Sequence, residues 1–110
     1  MTALDRLPGD QRAVLQLVLG RGRSYDEIAR MLSIDVAAVR ERAHAAVDTL
    51  GPVTAVPAER RGRLADYLLG QLPESQLGEV RGLLAQSPRE RAWARVLSSE
   101  LAPVAAGPMP

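Results

Sequence analysis

The chain has 110 residues, 3% aromatic and without Phe, so it can hold one ordinary domain or two very small ones whose core is built from Leu, Val, Ala and a few Ile and Met. Such a core suits helix packing better than a sheet, and the fold class expected is all-α. Net charge is +1 with no Lys among the 14 basic residues, and residues 1–50 carry seven Arg against seven acids, which excludes a strongly basic nucleic-acid arm. The lack of Cys removes disulfides and the usual structural zinc sites.

Leu7-Pro8 opens a first helix over 8–19, where the missing N–H of Pro costs nothing. Val14, Leu15 and Val18 form its inner face, and Gly20 and Gly22 end it around Arg21 and Arg23. Ser24 caps a second helix, 25–32, with Glu27 three residues on reaching back to the Ser24 amide, the reciprocal arrangement of a capping box. Ile28 and Leu32 are expected to point inward, and Ala29 is small enough for another helix to cross close by. Ser33-Ile34-Asp35 makes a turn with Ile34 tucked beneath it. Asp35 caps a third helix, 36–49, with Val39, Ala43 and Val47 as its buried stripe. A small residue at 29, a turn at 33–35 and a β-branched residue at 39 are together what a helix-turn-helix needs.

The run LPGDQRAVLQLVLGRGRSYDEIARMLSIDVAAVRERAHAAVDTL resembles region 4 of bacterial sigma-70 family factors in their extracytoplasmic-function form, over about residues 4–50. The matching elements are Leu7-Pro8, Gln11-Arg12, Val14-Leu15, Leu17, Ser24-Tyr25, Glu27-Ile28-Ala29, Leu32, Ile34, Val39, Arg40, Arg42 and Ala46. The resemblance implies transcription regulation, with promoter DNA and RNA polymerase or a sigma factor as partners. Four positions depart from that family: Ser33 stands where it usually has Gly, Ala38 for Thr, Glu41 for Ser and Ala45 for Arg. The last three remove polar or basic groups, or add an acid, on the helix that would enter the major groove, so the scaffold is kept better than the reading surface.

Positions 37, 40, 41 and 44 share one helical face, opposite Val39, Ala43 and Val47. On that face Arg40 can reach a guanine edge or a phosphate, Val36 or Ala37 a thymine methyl, and Glu41 a cytosine amine, while protonated His44 can meet a phosphate. The helix start at Ser24, flanked by Arg21 and Arg23, is expected to hold a backbone phosphate on free N–H groups, and Arg42 another. The DNA-contacting set is thus Arg21, Arg23, Ser24, Val36, Ala37, Arg40, Glu41, Arg42 and His44. The alternative is a protein-interaction module in which the helix-turn-helix no longer reads DNA, and the neutral charge and Glu41 favour it.

Gly51-Pro52 stops the third helix, and residues 52–57 read as a linker between a helix-turn-helix domain at 1–51 and a small three-helix unit at 58–101. A helix over 58–71 places Leu64, Tyr67 or Leu68, and Leu72 on one side. Its first turn carries Arg60, Arg61 and Arg63, against the helix dipole, which suggests service to an external acidic surface. Leu77, Val80, Leu83 and Leu84 trace the next helix. Ser87-Pro88-Arg89-Glu90 reads as a second capping box that launches Ala92, Trp93, Val96, Leu97 and Leu101.

The run LADYLLGQLPESQLGEVRGLLAQSPRERAWARVL resembles the small helical anti-sigma domains, and this implies a unit that clamps a sigma-type helix-turn-helix. Zinc-binding members carry His and two Cys around the second break. Here Ser87 and Arg91 stand near those places and the single histidine, His44, lies in the other unit, so neither metal nor other cofactor is expected. Self-association into a homodimer through the Leu-rich helices is a further expectation.

The tail APVAAGPMP, 102–110, is too poor in large apolar groups to pack and reads as a flexible linker, as if the chain continued into a membrane anchor or another domain. No apolar run approaches the roughly 20 residues of a membrane span, and MTALDRL lacks a basic start followed by an apolar stretch, so these residues are expected to be cytoplasmic and free of membrane contact. No nucleophile–base pair, phosphate loop or carboxylate pair is legible, and an enzyme is not expected.

Overall fold

The computed structural model describes residues 3–107 and 109. The fold is all-α, and the described residues contain no strand. After a 3-10 turn, Ala3–Arg6, come α1 (Gly9–Leu15) running into a π-helical turn (Gln16–Gly20), α2 (Tyr25–Leu32), α3 (Val36–Leu50), α4 (Ala58–Leu68), α5 (Glu74–Gln86) and α6 (Pro88–Leu101), followed by a second 3-10 turn, Ala102–Val104. None of the helices is long and apolar enough to cross a membrane.

The first three helices form as local chemistry dictates. Pro8 sits just before α1 and its carbonyl accepts from the Arg12 N–H at 3.0 Å. The expected helix over 8–19 is regular only to Leu15; its last turn widens into the π-helical stretch, and the Arg23 N–H returns to the Leu17 carbonyl at 3.0 Å. Ser33 ends α2 in the left-handed region, φ 56°, while the Ile34 N–H closes on the Ala29 carbonyl at 3.0 Å. The residue that replaces the family's usual Gly therefore occupies the one described non-Gly position with positive φ, where a Cβ is strained. Ala29 and Val39 are buried and Ile34 packs against the core, so the crossed pair of helices rests on the residues expected to seat it. Leu32 is a correction: it is 40% exposed and forms, with Met31 and Val36, an apolar edge around the turn. It stands in the last turn of α2, where Ile28 and Ala29 already fill the face toward α3. Asp35 occupies the residue before α3, but its carboxylate makes no capping hydrogen bond.

The core does not stop at residue 51. One apolar cluster joins Val14, Leu15, Ile28, Val39 and Val47 to Leu64, Leu68, Val80, Trp93, Leu97 and Leu101. Stretch 52–57 is pinned rather than loose: Val56 is buried, and its carbonyl accepts from Arg61 at 2.7 Å. α4 ends at Leu68, short of the expected residue 71, because Gly70 takes φ +70° and the Gln71 N–H turns back to the Asp66 carbonyl at 2.8 Å. The stretch from 102 also differs from a loose linker. The Ala106 N–H donates to the Leu19 carbonyl at 2.9 Å, and Val104 and Met109 pack against the core.

The Arg-rich first turn of α4 faces acids of this same chain. Arg60 reaches Glu90 at 3.3 Å, Arg61 reaches Asp48 at 3.1 Å, and Arg63 lies 3.2 Å from Glu59 and 2.6 Å from Glu79. These contacts replace the expected external acidic surface. They also undo the second capping box: Ser87 makes no side-chain cap, and the Glu90 carboxylate is fully buried against Arg60 instead of returning to the Ser87 amide.

Candidate nucleic-acid interface

The start of α2 is closed by reciprocal side-chain and backbone contacts. The Ser24 hydroxyl accepts from the Glu27 N–H and the Glu27 carboxylate accepts from the Ser24 N–H, both at 3.1 Å, so the capping box is complete. Arg23 adds an ion pair to Glu27 at 3.3 Å. These donors hold the Glu27 carboxyl below its ordinary value of 4.5, the Ser24 backbone first and Arg23 next.

A phosphate would not find this helix start free. The Ser24 N–H and Glu27 N–H serve the box, and the Tyr25 N–H donates to the Gln71 side-chain oxygen at 3.0 Å, from the turn after α4. Gln71 fixes itself in place by donating to the Leu69 carbonyl at 3.2 Å. The expectation of free N–H groups at Ser24 is thus corrected: a side chain 46 positions away from Tyr25 fills the place. Arg21 and Arg23 remain exposed beside it.

Along α3 the expected face divides in two. Val36, Ala37, Arg40 and Glu41 are exposed in its first turns, and together with His44, Ala45 and Asp48 the last three of them line an open groove. Arg40 lays its guanidinium over the Tyr25 ring, 5.9 Å from the centroid, which steadies an otherwise free side chain. Arg42 turns away from that face to Asp10 on α1, at 3.6 Å.

His44 is half-buried. Its Nε2–H donates to Asp66 on α4 at 2.8 Å, since a carboxylate can only accept. The same Asp66 oxygen accepts from the Tyr25 hydroxyl, also at 2.8 Å. α4 comes this close because residue 62 is Gly; a Cβ there would stand 3.3 Å from the His44 ring. A glycine inside a helical pattern is the one sequence signal that could have exposed this contact.

Burial alone would raise the Asp66 carboxyl, yet the hydrogen bonds from His44 and Tyr25 and the charges of His44 and Arg40 outweigh it and hold it below its ordinary 3.8. Tyr25 moves the other way, driven up by burial and then by the Asp66 charge, so it stays a neutral donor. Asp66 and Glu27, with lowered folded-state values, contribute stability that is present above their unfolded values and lost as pH falls through the folded ones. Thermal melts followed by circular dichroism should therefore hold level from about pH 6 to about pH 5 and decline below about pH 4.5. Asp66→Asn should flatten part of that decline.

Two comparisons, with curated proteins and with solved structures, give no match for this chain. A third bears on the first three helices and ends where α3 ends. Residues 1–50 match the family model described as sigma-70, region 4, which supports a sigma region 4 helix-turn-helix in the segment whose geometry is set out above.

Proposed function

We propose that this protein regulates transcription by setting the first turns of α3 against promoter DNA, in the manner of the extracytoplasmic-function form of sigma region 4, with RNA polymerase as its second partner. The observation that carries this reading is the division of α3. Recognition helices give base edges their N-terminal residues, and Val36, Ala37, Arg40 and Glu41 are exposed in the first turns, while in the later turns Ala43, Ala46, Val47 and Leu50 are buried and exposed Asp48 is tied to Arg61 of α4. Arg40 reads a guanine edge, Val36 and Ala37 lie against thymine methyls, Glu41 takes a cytosine amine, and Arg21 and Arg23 hold phosphates. Affinity is modest, since residues 1–50 are charge-neutral and Arg23 and Arg42 are already paired with acids.

A salt series with promoter fragments tests it. The logarithm of the binding constant should fall linearly with the logarithm of salt, with a slope worth a few phosphates, and a slope near zero with every fragment would overturn the reading. Arg40→Ala should cost about 1–3 kcal/mol on the preferred sequence and relax preference at one base pair, with only a small fall in melting temperature from the lost Tyr25 contact.

A second reading rests on Gln71 and Asp66 standing against the helix-turn-helix. In it, 58–101 acts as an anti-sigma-like clamp and the module docks protein rather than DNA. A flat salt series together with capture of a sigma factor favours this version; concentration-dependent sedimentation tests self-association.

A further inference from the structure

Helix α4 offers the helix-turn-helix the same chemistry that a nucleic-acid backbone would. The Asp66 carboxylate accepts from Tyr25 and from His44, each at 2.8 Å, with Arg40 near enough for its charge to act on Asp66. Five residues on, the Gln71 carbonyl oxygen accepts the first N–H of α2 at 3.0 Å, where an anion would otherwise be drawn by the helix dipole. A third tie, Arg61 to Asp48 at 3.1 Å, holds α4 along the packed half of α3. An acidic oxygen and an amide oxygen thus sit on groups from both helices of the motif, at separate points.

We infer that α4 and the turn after it form an autoinhibitory latch: Asp66 and Gln71 occupy donors of α2 and α3 that would add phosphate contacts, so until the latch is released the motif binds DNA only through the exposed turns of α3 and through Arg21 and Arg23. The inference rests on the DNA-contacting reading above. The latched state makes fewer phosphate contacts and therefore shows a shallower salt dependence than the released one. The groups facing Asp66 from the packed elements are Tyr25 on α2 and His44 and Arg40 on α3. None is an acid, so the carboxylate has attractive partners on every side and holds the closed state.

The test is fluorescence anisotropy of the full chain with a labelled mixed-sequence duplex, over a range of salt. Asp66→Ala should bind about tenfold tighter than wild type with a steeper salt slope, because released donors add phosphate contacts. Removing any negative charge near DNA raises affinity somewhat, and Asp26→Ala, an exposed acid in the first turn of α2, measures that contribution. Gln71→Ala changes no charge and should still tighten binding about threefold by freeing the Tyr25 N–H, so it decides the matter should Asp66→Ala fail to fold. If wild type binds and neither Asp66→Ala nor Gln71→Ala exceeds the gain from Asp26→Ala, the latch is overturned and the DNA-contacting reading stands. If no form binds even at low salt, both fall.

Discussion

Trp93→Ala should cost about 3–5 kcal/mol, the range for emptying a buried aromatic site, and lower the melting temperature of the whole chain rather than that of its second half. Trp93 is 2% exposed on α6 and meets the far end of α3: a Cβ at Gly51 would stand 2.8 Å from its indole nitrogen. The indole therefore fills the junction between residues 1–51 and 58–101, and alanine leaves a void bounded by both. A chain of this length has roughly 5–15 kcal/mol of stability in all, so the loss is a large share of it, and at about 4 °C per kcal/mol the midpoint should drop by about 12–20 °C. Far-UV circular dichroism should show one transition, shifted as a unit, because one apolar cluster runs through both segments. Two transitions, with the upper one at the wild-type midpoint, would mean that the helix-turn-helix folds by itself. Gly51→Ala probes the junction from the other side, since a Cβ there demands that a rigid, buried ring move.

What the sequence made legible is what its neighbours in sequence decide. Ser24 and Glu27 are three residues apart and nothing else competes for them, so the capping box forms as written. The bounds expected for α2 and α3, 25–32 and 36–49, lie within a residue of those observed, because the Ser24 capping box, a turn at 33–35 and an i, i+4 stripe are local instructions. The candidate interface was half legible for the same reason. Helical periodicity places 37, 40, 41 and 44 on one face, but it cannot say that His44 ends against Asp66, 22 residues away, or that Gln71 takes the Tyr25 N–H. The arginines of α4 carried a usable signal in their opposition to the helix dipole. That signal asked for acids without telling whether they belong to this chain or to another, and Asp48, Glu79 and Glu90 answer it from within.

Arg60→Ala should be the most damaging of the changes at charged positions, costing on the order of 3 kcal/mol, although Arg60 itself is half exposed. The cost lies with its partner. Glu90 is fully buried; one carboxylate oxygen takes the Arg60 guanidinium at 3.3 Å with Arg89 at 3.6 Å, and the other has no hydrogen-bond partner among the described residues. Without Arg60 the carboxylate stays in an apolar site with only the longer Arg89 contact, and burying a charge without its counter-ion is what makes half of a broken pair expensive. The complementary change has the opposite sign. Glu90→Leu removes the charge and the unpartnered oxygen together and should be neutral or stabilising, and in that background Arg60→Ala should lose most of its effect. Urea denaturation of the four forms yields the coupling directly: a double variant as unstable as Arg60→Ala alone would show that Arg60 acts through packing of its stem and not through Glu90. A sequence reader places Glu90 at the third position of a helix, where it would cap. In the fold it is drawn inward by an arginine 30 residues earlier, and the stability of the 58–101 half then depends on a charge pair that an apolar residue could replace.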